Sequence, residues 1–204
     1  MKFHNMLADI LGNKHKIKIV KTMLKYTVPE SPKEFHIREL ARLLKEHHTT
    51  IARNLLALVD ENLIKVRYAG TANLFRMNAE HPFFRSLVEI FQREEQLLPE
   101  LKNHIKGALS PEDSVLQVVL FGSLSRGQEK PTSDIDLFII VKNNADLTKV
   151  EDIIDKLNFD LLKMYGNAIM PMIKKLNELK ELKTKAIYNN LKSGMVIIDK
   201  GVQW

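Results

Sequence analysis

Cysteine is absent from all 204 residues, so no disulfide can brace the fold and no thiolate can bind a metal. That absence suits a reducing compartment, and a cytoplasmic protein is expected. The chain has no run of eighteen apolar residues, and no charged segment followed by an apolar one opens it. Neither a membrane span nor a secretory leader is therefore expected. An acidic excess is also missing: 31 Lys and Arg stand against 25 Asp and Glu, a net charge of +6. The surplus is local, because residues 1–80 hold 14 basic and 8 acidic side chains whereas residues 81–204 hold 17 of each. A basic field confined to one part is the electrostatic footprint of a nucleic-acid binder, and double-stranded DNA is the partner expected. At this length the chain can bury a substantial core, as one large domain or two small ones.

The most informative stretch is Val115 to Lys142, VLQVVLFGSLSRGQEKPTSDIDLFIIVK. Two apolar, β-branched runs, Val115–Phe121 and Ile135–Val141, have the length of strands, and Gly122, Gly127, Pro131, Thr132 and Ser133 punctuate the polar segment between them. The first run ends in Gly122-Ser123, where the backbone must turn sharply, and the second opens with Asp134 and Asp136. Side chains two apart on a strand share a face, so both carboxylates should project toward the Gly122-Ser123 turn. Paired carboxylates suit a hard cation such as Mg²⁺ or Mn²⁺, which completes its shell with phosphates and water. Gly122 allows close backbone approach, and backbone N–H groups of a helix start together with the Ser123 hydroxyl can hold phosphate oxygens. Arg126, about one turn further on, can add a charge-assisted contact.

FGSLSRG followed by SDIDL resembles the signature of the DNA polymerase β-like nucleotidyltransferases, in particular the minimal nucleotidyltransferases of prokaryotes. The resemblance covers about thirty residues closely. It implies that Gly122 and Ser123 contact a nucleoside triphosphate, with ATP the leading candidate, and that Asp134 and Asp136 bind catalytic metal. Active members of that family carry a third carboxylate on a later strand. The corresponding segment here, Asn167 to Lys175, has no Asp or Glu. Met170 and Met172 are expected there as core fillers, since thioethers do not suit Mg²⁺. Glu178 or Asp199 would have to substitute.

Toward the N-terminus, Ile17, Ile19, Val20, Met23 and Leu24 recur at helical spacing within residues 13–26. Ile37, Leu40, Ala41, Leu43 and Leu44 mark a second helix, and Ile51, Leu55, Leu56 and Val59 a third through Thr50–Glu61, with a break near Glu46–His48. Two strands, Leu63–Arg67 and Leu74–Met77, flank the Gly-containing loop YAGTAN. Three helices and a hairpin in this order resemble the winged helix-turn-helix of prokaryotic transcription regulators. In such a fold the second helix of the motif enters the major groove. His48, Thr49, Thr50, Arg53 and Asn54 would face the bases or phosphates, with Thr49 or Thr50 alternatively a plain N-cap. Arg67, Tyr68 and Arg76 would lie on the wing. His47 and His48 lack the companions of a metal site.

The expected organisation is α+β in two domains: a winged helix-turn-helix over 1–80, a helical connector over 81–110, and a nucleotidyltransferase fold with a short mixed sheet over 111–204. The Phe-rich start of the connector offers a seam for a homodimer, or else is buried within one chain. Lys174, Lys175, Lys180, Lys183 and Lys185 read as a solvated face. Two functions follow from the parts. One is a DNA-binding regulator that binds Mg²⁺ and a nucleoside triphosphate and transfers AMP to a hydroxyl of a protein or small molecule. The other is a non-catalytic transcription factor whose degenerate nucleotidyltransferase domain senses nucleotide or dimerises.

Overall fold

A computed structural model describes residues 13–28, 31–70, 72–179 and 187–202. The chain divides into two compact units between Glu95 and Gln96. No described helix is long and apolar enough to cross a membrane.

The first unit begins with α1 (Lys14–Lys25), where Asn13 caps the start by accepting a hydrogen bond from the Lys16 amide at 3.1 Å. Ile19, Val20 and Met23 form its buried stripe. A two-residue ladder, β1 (Thr27–Val28) and β2 (Ser31–Pro32), precedes α2 (Ile37–Leu44). Lys45 ends α2 in the left-handed region at φ 55°, which turns the chain sharply into α3 (His48–Asp60). Asn62, at φ 57°, turns it again into β3 (Ile64–Ala69), which pairs antiparallel with β4 (Ala72–Met77). This ladder runs two residues further toward the loop than expected on each side. The register closes at Ala69 opposite Ala72, a tight turn that Gly70 allows with its φ of +59°. Phe35 adds a bridge to Phe75, with N–H···O bonds of 2.8 and 2.9 Å in the two directions. Phe35 and Phe75 meet Ile19, Met23, Leu40, Ile51 and Leu55 in one core.

The division between units falls within α4 (Phe84–Leu109), which continues through Pro99 without a break. Phe84 and Phe91 join the core of the first unit, the burial within one chain that stood beside a dimer seam as the alternative. Glu94, with a side chain only 2% exposed, is held by Lys21 of α1 at 2.6 Å.

The second unit is a four-stranded sheet in the order β7-β6-β5-β8. It comprises β5 (Val115–Leu120), β6 (Ile135–Val141), β7 (Ile169–Lys175) and β8 (Met195–Asp199). β6 pairs parallel to β7 and β5 pairs antiparallel to both β6 and β8, so the sheet is mixed. The parallel pair needs a crossover, which α6 (Leu147–Tyr165) supplies. Asp146 caps α6 by accepting from the Thr148 amide at 3.1 Å, and Gly166, at φ 74°, ends it. Val150, Ile154, Leu157 and Leu161 are its buried stripe. Every residue of β6 is buried except Asp136, as a central strand covered on both faces requires. A single turn, α5 (Gly122–Ser125), follows β5, and α7 (Ile187–Lys192) precedes β8. Of the expected charged helix from Asn177 to Leu191, the middle lies outside the described residues, and with it Lys180, Lys183 and Lys185.

Candidate functional site

The site forms where β5 ends beside the start of β6. Phe121 donates its N–H to the Asp136 carbonyl at 3.0 Å, which seats the turn against that residue. Gly122 then adopts φ +77°, and a Cβ placed there would lie 1.9 Å from Asp136 Oδ2 and 2.8 Å from Cγ. Only glycine fits, on grounds of both space and backbone conformation. α5 is held by Ser125 Oγ donating to the Gly122 carbonyl at 3.0 Å and by the Gln128 amide donating to the Ser123 carbonyl at 2.9 Å. The Ser123 hydroxyl has no hydrogen-bond partner among the described residues.

Asp136 is half-buried and Asp134, immediately before β6, is exposed. Burial pushes the Asp136 carboxyl above its ordinary value, the charge of Asp134 pushes it further, and Arg126 opposes both. The two acids, the arginine and the glycine turn thus share one electrostatic neighbourhood.

Sequence reasoning missed the group that steadies the acidic loop. Asn167, 3% exposed, donates its side-chain amide to the carbonyls of Pro131 at 3.0 Å and Ser133 at 2.7 Å. The Ile135 amide donates to the Ala168 carbonyl at 2.8 Å, and the Lys130 amide to Ser133 Oγ at 2.8 Å. The loop carrying Asp134 is thereby stitched to the start of β7. Asparagine just before an apolar run was the available signal, but its partners lie 34 and 36 residues away.

The third-carboxylate position resolves against both substitutes. Register sets Met170 beside Asp136 on the parallel pair, and Met170 is 54% exposed, so it is not the core filler expected. Met172 does pack against the core. Glu178 is committed elsewhere: Oε2 accepts from the Lys175 amide at 2.6 Å and Oε1 from Lys174 Nζ at 3.1 Å. Asp199 accepts from the amides of Gly201 and Val202 at 3.0 and 3.2 Å. Among the described residues, no group of three or more His, Asp or Glu side chains converges as a metal cage.

On the first unit, α3 turns Ile51, Leu55 and Val59 to the core as expected, but not Leu56. Its buried positions are Ile51, Asn54, Leu55 and Leu58, while Leu56 is 55% exposed. Asn54, expected among the base-reading groups, is turned inward and donates Nδ2 to the Thr50 carbonyl at 2.8 Å. That i to i−4 bond gives one of its amide N–H groups a partner at a core position. The N-cap is His47 rather than either threonine; its Nδ1 accepts from the Thr49 amide at 3.4 Å and lies 2.8 Å from the Thr49 hydroxyl. His48, Thr49 and Arg53 are exposed and Thr50 is half-buried. On the hairpin, Tyr68 is 73% exposed. Arg67, expected to be available on the wing, is instead engaged by Glu34, with Nε to Oε1 at 2.9 Å and Nη2 to Oε2 as a second bond. Arg76 lies in the field of the same glutamate, and Lys65 pairs with Glu80 at 2.6 Å.

The second unit is thus a mixed sheet that sets an acidic pair against a glycine-serine turn. Residues 103–202, just under half of the chain, match the family model described as "Polymerase beta, Nucleotidyltransferase". The second unit therefore carries a polymerase β-like nucleotidyltransferase domain. Among solved structures, the chain is similar to TrmBL2, an archaeal chromatin protein described as showing a novel mode of DNA binding. The identity is 15%, over 95% of this chain and 78% of that one, with a TM-score of 0.30. A superposition that loose fixes neither fold nor partner.

Proposed function

We propose that the protein is a DNA-binding regulator whose C-terminal domain holds a nucleoside triphosphate, ATP first among them, with Mg²⁺ or Mn²⁺. The observation that carries this reading is the Asp136 carboxylate seated against Gly122 with Asp134 and Arg126 around it. Two carboxylates this close repel one another, and burial adds to the cost. A divalent cation removes that cost, and two hard oxygen donors plus phosphate and water suit its shell. The residues present fit the group: Asp134 and Asp136 would hold it, and when bound it would neutralise phosphate charge. Gly122 lets the triphosphate approach the backbone, the Ser123 hydroxyl donates to a phosphate oxygen, and Arg126 offsets the remaining charge.

Transfer, where it occurs, joins an acceptor hydroxyl oxygen to the α-phosphorus while the bond to pyrophosphate breaks and the hydroxyl proton passes to solvent. Met170 stands where a third acid could have taken that proton, so such transfer is slow by about 10²–10⁴-fold relative to a site with a general base. Nucleotide sensing is the reading this favours, with AMP transfer to a protein or small molecule the second.

The first unit supports a winged helix-turn-helix reading through its element order and its basic surplus. His48, Thr49 and Arg53 of α3, with Thr50 at their edge, would enter the major groove, and Tyr68 and Arg76 would lie over the adjacent backbone. A homodimer engaging two half-sites belongs to the same proposal.

Equilibrium dialysis of labelled ATP with Mn²⁺, run beside Asp134→Ala/Asp136→Ala, tests the nucleotide half. Cation-dependent binding to the native protein alone is the expected result, and equal binding to both overturns it. A labelled protein band in cell extract, seen only with the acid pair intact, would move the assignment from sensor to transferase.

A further inference from the structure

The charge surplus of the first unit becomes specific once its ion pairs are assigned. Lys18 pairs with Glu46 at 2.9 Å, Lys21 with Glu94 at 2.6 Å, and Lys33 with Glu39 at 2.8 Å. On the hairpin, Lys65 pairs with Glu80, Arg67 is engaged by Glu34, and Arg76 lies in the fields of both acids. Lys65 and Arg67 of the hairpin are therefore compensated, whereas Arg76 makes no ion pair within 4 Å among the described residues. The cations of α2 are uncompensated as well. Arg38, Arg42 and Lys45 are exposed, follow one another at spacings of four and three, and so line one face of the helix and its C-cap. None makes an ion pair within 4 Å among the described residues. Arg42 does feel Glu39, but that carboxylate is already held by Lys33.

Arg38 and Arg42 also line a hollow of about 1010 Å³ together with His36, Ala72, Asn73 and Glu39, whose carboxylate Lys33 holds at 2.8 Å. A concave surface with two uncompensated guanidinium groups and the Asn73 amide suits a run of phosphate oxygens, which guanidinium binds in bidentate fashion.

We propose that Arg38 and Arg42 on α2, with the hollow beside the hairpin tip, anchor the phosphate backbone of duplex DNA, and that Arg67 of the hairpin does not. The proposal rests on the reading of the first unit as a DNA-binding module and moves the backbone contact expected of Arg67 to α2. The physical reason is competition: Arg67 would have to abandon a bidentate carboxylate to reach a phosphate, whereas Arg38 and Arg42 abandon only water.

The test is fluorescence anisotropy of the full chain with a labelled mixed-sequence duplex of two helical turns, titrated at several KCl concentrations. Each phosphate neutralised contributes about 0.9 to the slope of log K against log salt, so Arg38→Ala/Arg42→Ala should lower its magnitude by about 1.8. Arg38→Lys/Arg42→Lys should restore most of the slope, and Arg67→Gln should leave it at the native value. Melting curves check that each variant is folded. A double alanine variant with the native slope, or an Arg67→Gln variant that loses as much as the alanine pair, overturns the assignment while leaving DNA binding intact. A native protein with no salt-dependent affinity for the duplex removes the DNA reading itself and this inference with it.

Discussion

Asp136 sits where its charge weakens the folded state at neutral pH. Below the ordinary carboxylate value it is protonated in both folded and unfolded chains, and no penalty arises. As pH rises from that value through the raised folded one, the unfolded chain releases its proton first and the folded state loses stability. Asp136→Asn escapes the penalty, so it should melt roughly 2 °C higher at about pH 7 and gain nothing near pH 3. Mg²⁺ with ATP should reverse the order by stabilising only the native protein. Glu112 behaves oppositely. Its carboxyl is held down to about 2 by Lys149, and next by the Ser114 hydroxyl and amide at 2.7 and 3.1 Å. The stability it contributes is complete above its unfolded value of 4.5 and is lost as pH falls through about 2. Glu112→Gln should therefore melt below the native protein at neutral pH, with the gap closing across that window in an acid titration of melting temperature. Asp134, Asp136 and Gly122 could be read from the chain because their chemistry lies within fifteen residues. Glu112, Asn167 and the Glu34 partner of Arg67 could not, because each is defined by a group 33 to 37 positions away that no local pattern names.

At the scale of elements, periodicity located α1, α2, α3, β5 and β6 and erred where one side chain satisfied itself. The stripe of α3 was expected at Ile51, Leu55, Leu56 and Val59; Ile51, Leu55 and Val59 do face the core, but Asn54 and Leu58 are buried there while Leu56 is exposed. An amide that bonds back to the Thr50 carbonyl carries a partner of its own into the core, which hydropathy alone cannot register. The turn between α2 and α3 holds another departure from local preference. Lys45 occupies a left-handed conformation that favours glycine. Lys45→Gly should relieve roughly 0.5–1 kcal/mol of backbone strain and raise the first unit's melting temperature by a few degrees, seen by calorimetry. In the second unit, β7 brings an exposed thioether alongside Asp136. Met170→Asp would set a third carboxylate on that face. It should tighten Mn²⁺ binding by roughly tenfold and increase any label transfer, at the cost of a still higher Asp136 carboxyl in the metal-free protein. Unchanged Mn²⁺ affinity would show that the parallel register does not bring the two side chains to one ion.

For the whole molecule, the charge distribution and the division of the chain point to one quantity that can be measured. The basic surplus resides in residues 1–80, the acidic pair sits in the other unit, and the boundary between units falls inside α4 rather than in a loop. In a regulator, occupancy of one unit should bias the other. Such a bias is a coupling free energy and is reciprocal: the factor by which Mg²⁺ and ATP change duplex affinity must equal the factor by which duplex changes ATP affinity. A regulator should show a factor of at least about five, the lower end of ordinary coupling. Anisotropy with duplex at saturating nucleotide gives the first factor, and calorimetry of ATP binding at saturating duplex gives the second. Asp134→Ala/Asp136→Ala should bring both to one while leaving the nucleotide-free duplex affinity unchanged. A native factor of one would mean two independent binding activities sharing a chain, and the regulator reading would give way to a DNA-tethered nucleotide-binding protein.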